Sequence, residues 1–315
     1  MSITRRQFIK YLAITGSSLG SVLTSSAGAS SLFSEAVSAD RHMRIIPSSG
    51  EKIPAIGLGS WLTFAIDIND EVELNKRIAI LREFLALGGG MLDSSPMYGV
   101  AQEVIGKGLR RISNSDGLFS ATKVWTTGNR QSLLQMEKSR QLWGLDRLDL
   151  MQVHNLLDWE THLPTLHFMK QEGSIRYVGV TTSHGRRHAE LAKIMRTQEI
   201  DFVQFTYNML DREAEKTLLP LAKDRGIAVI INRPFQRGGL FKQFEKYPLP
   251  GWVIEIDCAN WAQFFLKFII SHSAVTCAIP ATSQIEHLRE NVAAGYGRLP
   301  DEPLRKKMIE YIKNL

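Results

Sequence analysis

The sequence predicts one (β/α)8 barrel, a TIM barrel, with a β-hairpin before it and an extra helix after it. From about residue 43 onward, eight short apolar segments alternate with longer segments of helical periodicity. The short segments are apolar throughout, as expected of parallel strands that are covered on both faces. The 315 residues accommodate a barrel of about 250 residues with a few dozen to spare. No glycine-rich turn follows the first strand, which favours the closed barrel over a doubly wound open sheet.

The elements follow in a regular order. The hairpin pairs Met43–Ile46 with Lys52–Ala55. The eight predicted strands are Ile56–Trp61, Met91–Ser94, Leu118–Val124, Leu148–His154, Ile175–Thr181, Phe202–Tyr207, Ala228–Asn232 and Val275–Ile279. The helices that follow them are Asp70–Leu87, Gln102–Arg111, Arg130–Trp143, Leu163–Glu172, Arg187–Arg196, Glu213–Arg225, Cys258–His272 and Ser283–Ala294, with Pro303–Ile312 as the extra helix. The longest gap, Arg233–Ile256, is predicted to be a lid or binding loop.

Residues 1–39 resemble an export signal rather than part of the barrel. The adjacent Arg5 and Arg6 are followed by Phe-Ile-Lys, a short apolar stretch and then small residues. This order is typical of a twin-arginine signal peptide, so we expect export by the twin-arginine machinery, into the periplasm or beyond. Cleavage after Ala29 or after Ala39 fits equally well. The apolar stretch is too short and too polar for a stable membrane span, and the barrel is assigned to residues 43–315.

Charge and cysteine content limit which partners and ligands the protein is expected to bind. The formal net charge is +6, but no dense Lys/Arg block interleaved with aromatic residues occurs, so nucleic acid is excluded as a partner. A basic cleft would instead attract an anionic cofactor. Cys258 and Cys277 have no metal-ligand spacing, and no metal is expected. Buried free thiols are favoured, although a disulfide in an oxidising compartment stays open. We expect a monomer.

Polar residues stand where the strands of the predicted barrel end, which is where such barrels carry their chemistry. Asp93 closes the second strand, Lys123 lies in the third, His154 closes the fourth, and Tyr98 follows Asp93 in a loop. A tyrosine hydroxyl, with a reference pKa of about 10, can give a proton to a carbonyl oxygen. A nearby ammonium should lower that pKa, a carboxylate can hold the ammonium, and a histidine can donate a hydrogen bond to the same oxygen. The four residues therefore suit the reduction of a carbonyl group.

Several segments together resemble the aldo-keto reductase family. They are Met91–Gly99 with Ile105-Gly106, Ser120–Val124, Asp149–His154, Gly57–Trp61, and Ile279–Ser283 with Glu290-Asn291. The resemblance runs in order through about residues 43–315. It implies a TIM barrel that binds NADP(H), or less often NAD(H), without a Rossmann fold. It also implies that Asp93, Tyr98, Lys123 and His154 form the catalytic tetrad.

The same resemblance implies the cofactor contacts. They are Gly59, Ser60, Trp61, Thr181, Thr182, Gln204, Arg233, Pro234, Phe235, Arg237, Gly239, Ala281, Thr282, Ser283, His287, Glu290 and Asn291. Asn232 stands where the family usually has an aromatic residue that stacks on the nicotinamide, so Phe235 or Tyr207 is a candidate substitute. Ala281 and His287 replace a lysine and an arginine that grip the 2′-phosphate in many members. The choice between NADP(H) and NAD(H) therefore stays open.

Two functions fit these residues. The first is an oxidoreductase that moves hydride between NAD(P)H and an aldehyde or ketone, or the reverse on an alcohol, with Tyr98 as general acid and base. The second is a catalytically weak NAD(P)-binding barrel subunit that senses cofactor state for a partner protein. A barrel hydrolase or lyase would need paired carboxylates or metal ligands at the strand ends, where only Asp93 and His154 stand. Steady-state turnover of simple aldehydes separates the first two.

Overall fold

A computed structural model describes residues 40–315, so the predicted export signal at residues 1–39 lies outside the described residues. The chain forms the predicted hairpin and eight-stranded barrel. The strands are β1 Met43–Ile45, β2 Lys52–Pro54, β3 Leu58–Gly59, β4 Gly90–Asp93, β5 Leu118–Val124, β6 Leu148–Val153, β7 Ile175–Thr181, β8 Phe202–Thr206, β9 Ala228–Asn232 and β10 Cys277–Ala278. The helices are α1 Glu71–Ala86, α2 Ala101–Arg110, α3 Asn129–Trp143, α4 Trp159–Gln171, α5 His188–Thr197, α6 Leu218–Arg225, α7 Gly239–Phe244, α8 Trp261–Ile270, α9 Ile285–Ala293 and α10 Glu302–Lys313.

The barrel is a parallel sheet in which β3 to β10 pair in chain order. Its seam closes where the β3 segment meets the β10 segment, through parallel bridges from Ile56 to Ala278 and from Gly59 to Ala281. The Gly59 N–H donates to the Pro280 carbonyl at 3.0 Å. A Cβ atom on Gly59 would lie 2.8 Å from the Ile279 carbonyl oxygen, which is too close for any other residue. Glycine at this position therefore allows the last strand to reach the first.

The hairpin seals the N-terminal end of the barrel. Ile46 and Ile53 from the hairpin region share a buried cluster with Phe119, Tyr177 and Phe202 from the barrel interior. A larger apolar core separates the strands from the surrounding helices. With one end filled by side chains, a ligand can enter only at the opposite end, where the strands terminate in the residues predicted to be functional.

The predicted elements are all present, but the first and eighth barrel strands are shortened to β3 and β10, and the predicted helix Cys258–His272 is shortened to α8. Three further places differ. Helix α4 begins at Trp159, ahead of the predicted Leu163, and it accommodates Pro164 in its interior. The missing N–H of Pro164 would have bonded to the carbonyl of Glu160, which is exposed and can bond to water instead. The predicted helix Glu213–Arg225 is broken at Thr217, which has non-helical torsions, into a 3-10 turn and α6.

The third difference is the long segment after β9, which is folded rather than open. It contains α7 and a 3-10 turn at Gly251–Ile256. Leu240 and Phe244 are buried at helical spacing in α7, an apolar signal too short to stand out after the Gly238-Gly239 pair. Cys258 and Cys277 are both free and buried, as the sequence favoured. In the part of the chain that the structure describes, no helix is long and apolar enough to cross a membrane.

Candidate active site

A cavity of about 390 Å³ opens at the C-terminal end of the barrel. This volume lies within the usual range for small-molecule sites, which is about 300–1,000 Å³. Asp93, Tyr98 and His154 line it, while Lys123 lies behind them and is fully buried. All but three of the predicted cofactor residues also line it, the exceptions being Gly239, Glu290 and Asn291. The structure thus brings almost all of the predicted site residues together.

Asp93 and Lys123 form a buried ion pair across the adjacent strands β4 and β5. The Lys123 Nζ lies 2.5 Å from Asp93 Oδ1 and donates to the Ser94 carbonyl at 2.8 Å. The other carboxylate oxygen of Asp93 accepts hydrogen bonds from the side-chain amides of Gln152 and Gln204, at 3.2 and 3.1 Å. Burial lowers the pKa of Lys123, and the charge of Asp93 opposes that shift. Both carboxylate oxygens of Asp93 accept hydrogen bonds and the ammonium of Lys123 donates two, which offsets the cost of burying the two charges.

Tyr98 stands in the turn after β4, where its N–H donates to the Ser95 carbonyl at 3.0 Å. The Lys123 Nζ lies over its ring, 5.3 Å from the centroid. Burial, and then the charge of Asp93, raise the pKa of Tyr98 well above its usual value. The expectation that lysine would lower this pKa is therefore wrong for this structure: the ammonium bonds to Asp93 and Ser94, and burial disfavours the phenolate. Tyr98 is protonated and ready to act as an acid.

His154 follows β6, and its ring packs edge-on against Tyr98 with the centroids 5.8 Å apart. Its Nδ1 lies 2.8 Å from the Ser95 Oγ. Burial, together with the charge of Lys123, lowers the pKa of His154 to about 3. The imidazole is therefore neutral at physiological pH. It can donate a hydrogen bond but has no extra proton to transfer.

The ends of β7, β8 and β9 are held together by hydrogen bonds. The Thr182 N–H donates to the Gln204 carbonyl at 2.8 Å, and the Thr181 hydroxyl accepts from the Asn155 N–H at 3.0 Å. The side-chain amide of Asn232 donates to the Thr182 carbonyl at 2.9 Å, and its oxygen accepts from Thr206 at 2.7 Å. The Thr182 hydroxyl lines the cavity outside this network and suits an amide such as the nicotinamide carboxamide.

One of the two proposed stacking residues is excluded from the cavity. Tyr207 is fully buried outside it, with its hydroxyl donating to Glu215 at 2.6 Å and accepting from Arg305 at 2.8 Å. Tyr207 points toward helix α10 because the period of the strand turns it away from the barrel mouth. Phe235 lines the cavity and remains a candidate.

The cavity carries a positive charge at its rim. Arg233, next to His184, and Arg237 both line it, and the Arg237 guanidinium lies over the Trp61 ring at 4.4 Å. Burial and the nearby arginines lower the pKa of Arg233. Among the described residues, Asp93 is the one acidic side chain that lines the cavity, and Lys123 neutralises its charge. Such a rim attracts phosphate groups.

The segment after β10 fits the nucleotide part of the cofactor less fully than predicted. Ala281, Ser283 and His287 are exposed on the cavity wall, but the Thr282 hydroxyl already donates to the Gln284 carbonyl at 3.3 Å and accepts from the Gln284 N–H at 3.1 Å. Thr282 is therefore a weaker phosphate ligand than expected. Helix α9 begins at Ile285 and has no side-chain cap on its first turn, so its amides can bind an anion.

Asn291, predicted to contact the adenine, has a polar atom that is still without a partner in the described part of the chain. It is buried, and its Oδ1 has no hydrogen-bond partner among the described residues. A buried acceptor without a partner is costly, and the amino group of an adenine would satisfy it. The basic rim and the uncapped α9 fit a nicotinamide adenine dinucleotide, with Asn291 one turn of α9 beyond the cavity-lining His287. Glu290 is half-buried beside it, and Gly239 starts α7 away from the cavity lining.

Several cavity residues were not predicted. They are Leu62, Thr63, Met97, Asn155, Ser183, His184, Gly238, Phe241 and Ile279. Most lie in loops, where no periodicity marks a residue as facing a site. Five non-glycine residues of the lining share a left-handed backbone, with φ of 63° at Leu62, 54° at Asn155, 63° at His184, 51° at Arg233 and 62° at Arg237. Such strain concentrates at functional sites, at a cost of about 1–3 kcal/mol per residue.

Comparisons with known proteins agree with this geometry. The model of the Aldo/keto reductase family matches residues 55–251. Pyridoxine 4-dehydrogenase of Escherichia coli is 31% identical over 250 residues, which cover 72% of this chain and 84% of the relative. The NADH-specific methylglyoxal reductase of E. coli is 25% identical over 321 residues, covering 82% and 95%. The fold matches an aldo/keto reductase from Klebsiella pneumoniae solved with NADP and acetate, with a TM-score of 0.72 and 23% identity over 85% of this chain and 94% of that one.

Proposed function

The chain belongs to the aldo/keto reductase family, and from this premise we propose that Tyr98 is the general acid with which it reduces a carbonyl group. The protein is an NAD(P)-dependent oxidoreductase for the conversion of carbonyl groups and alcohols. One observation carries the assignment of roles: a protonated Tyr98, a neutral His154 and the buried Asp93–Lys123 pair meet at one cavity.

Each residue has a separate task in the reduction. When bound, the reduced nicotinamide supplies hydride to the carbonyl carbon. Tyr98 donates its phenolic proton to the carbonyl oxygen as negative charge develops there, and His154 donates a hydrogen bond to the same oxygen. Lys123, held by Asp93, lies over the Tyr98 ring and is the cation next to the phenolate that remains, so it offsets part of the cost that burial and Asp93 place on that charge. In the reverse direction, the phenolate takes the proton of the alcohol.

Turnover of an aldehyde tests this function directly. We expect purified protein to oxidise NADPH or NADH in the presence of p-nitrobenzaldehyde. The reaction is monitored by the loss of the absorbance of the reduced nicotinamide. A protein that binds both cofactors but turns over no aldehyde or ketone from a broad panel would instead be a cofactor-sensing subunit.

Substitutions in the cavity wall after β10 should change the preference between NADPH and NADH. Ala281 and His287 are both exposed there, and neither brings the fixed charge that a 2′-phosphate attracts. We expect the parent to accept NADPH with only a modest preference over NADH, measured by fluorescence titration. Ala281→Lys/His287→Arg should raise the affinity for NADPH and leave that for NADH nearly unchanged. A parent that already prefers NADPH by orders of magnitude, with no gain in the variant, would mean that other groups bind the phosphate.

We also propose that the barrel acts after export, with residues 1–39 as signal and linker and residues 43–315 as the enzyme. The Arg5-Arg6 pair and the small-residue stretches support this. Arg5→Lys/Arg6→Lys should leave the precursor in the cytoplasm, as judged by cell fractionation. Arg82→Lys, at an exposed position on α1, is the matched control and should be exported normally. Normal export of the double variant would exclude the twin-arginine route.

A further inference from the structure

Ser95 connects the two residues that face the substrate carbonyl. It is fully buried two residues after the end of β4, and its backbone carbonyl accepts the Tyr98 N–H at 3.0 Å. Its Oγ lies 2.8 Å from His154 Nδ1 and accepts the Met97 N–H at 3.2 Å. A single serine thus contacts both the turn that carries Tyr98 and the ring of His154.

The hydrogen bonds around Ser95 determine where its proton goes. A serine hydroxyl has one proton to donate, and the Oγ of Ser95 already accepts one hydrogen bond from Met97. Among residues 40–315, His154 Nδ1 is the acceptor within reach of that proton. If Nδ1 carried a proton instead, the Ser95 hydroxyl proton would be buried without an acceptor, which is costly. The satisfied arrangement has the Ser95 O–H donating to an unprotonated Nδ1.

We propose that Ser95 is a positioning residue that holds His154 in the tautomer protonated on Nε2, so that this N–H is available to the substrate oxygen. His154 lines the cavity, and its Nε2 has no hydrogen-bond partner in the described part of the chain. With the other tautomer, Nε2 would present a lone pair to the carbonyl oxygen and repel it. The consequence for catalysis rests on the proposed function, whereas the tautomer itself does not.

The tautomer can be observed without any reaction. In protein labelled with ¹⁵N-histidine, long-range ¹⁵N–¹H NMR at neutral pH should show a pyridine-type Nδ1 and a pyrrole-type Nε2 for His154, assigned by its absence in His154→Gln. Because the pKa of His154 is about 3, the ring is neutral under these conditions. A pyrrole-type Nδ1 in the wild-type protein would overturn the proposal.

Variants then test the role of the hydroxyl. Ser95→Ala should shift the His154 nitrogens toward a mixture of tautomers and lower kcat/KM for p-nitrobenzaldehyde about ten-fold, the effect of one lost hydrogen bond. NADPH affinity should be unchanged. Ser95→Thr keeps the hydroxyl and should restore the wild-type nitrogen pattern and most of the activity.

Ser132→Ala is the matched control. Ser132 is equally buried, and its hydroxyl donates to the Asn129 carbonyl at 2.7 Å in α3, away from the cavity. It should alter neither the His154 nitrogens nor turnover. Unchanged nitrogen shifts in Ser95→Ala would contradict the proposal. If the wild-type protein reduces no carbonyl compound while the tautomer is as expected and responds to Ser95→Ala, the proposed function fails and the tautomer assignment stands.

Discussion

Tyr98→Phe is expected to lower kcat for aldehyde reduction by ~10²–10⁴-fold, the usual contribution of a positioned general acid. The change removes the proton donor and keeps the ring that packs against His154 and Lys123. Cofactor affinity should therefore persist, because no step of dinucleotide binding depends on the hydroxyl. Steady-state kinetics and NADPH titration, performed side by side, measure the two effects separately.

Tyr311→Phe provides the comparison for this loss. Its hydroxyl donates to the Pro248 carbonyl at 2.8 Å on the far side of α10, so removing it deletes a hydrogen bond without touching the cavity. It should retain the activity of the parent. Full activity in Tyr98→Phe would exclude Tyr98 as the acid, and equal losses in both variants would indicate a general effect of removing a phenol.

Lys123→Met should abolish most turnover and also destabilise the fold. It removes the charge beside Tyr98 and leaves the carboxylate of Asp93 buried without its cation. Breaking one partner of a buried ion pair typically costs about 3–5 kcal/mol in the free energy of unfolding. Urea denaturation measures this loss, and kinetics under native conditions measure the catalytic one.

A second substitution separates these two effects. Asp93→Asn in the Lys123→Met background removes the uncompensated charge, so much of the lost unfolding free energy should return. Turnover should stay low, because the phenolate of Tyr98 still lacks its ammonium. If Lys123→Met were as stable as the parent, the structural role of the ion pair would be contradicted. If the double variant were active, the catalytic role of the pair would be contradicted.

Of the four proposed catalytic residues, Asp93, Lys123 and His154 lie in or directly after strands that the sequence marks clearly, and Tyr98 follows in the turn after β4. Asp93 and His154 end apolar runs, and parallel strands bring their C-terminal ends to one rim. The protonation state of these residues was less predictable. Sequence predicts that Lys123 is near Tyr98, but it does not show how much water both lose, and burial raises the pKa of Tyr98 well above its usual value.

Residues beyond the strand ends were harder to assign. Tyr207 comes one residue after β8, and only the structure shows that it faces Arg305 rather than the cavity. His184 reaches the rim through a loop with a left-handed backbone, which no sequence period describes. The Thr282 hydroxyl is bonded to the backbone two residues later, a local turn that competes with ligand binding. The first two cases depend on contacts that are distant in sequence, and the third depends on a local turn that no periodicity marks.

The left-handed residues of the cavity limit how this mouth can be altered by directed evolution. At Leu62, Asn155, His184, Arg233 and Arg237, the backbone disfavours β-branched side chains whatever their chemistry, because Cβ crowds the neighbouring carbonyl. A fully randomised library at these positions would therefore contain many members lost to backbone strain alone. Libraries restricted to Gly, Asn, Asp and unbranched side chains would sample new substrate preferences while keeping the loops folded. Met97 and Phe241 also line the cavity but have no left-handed backbone, so they could be varied without that restriction.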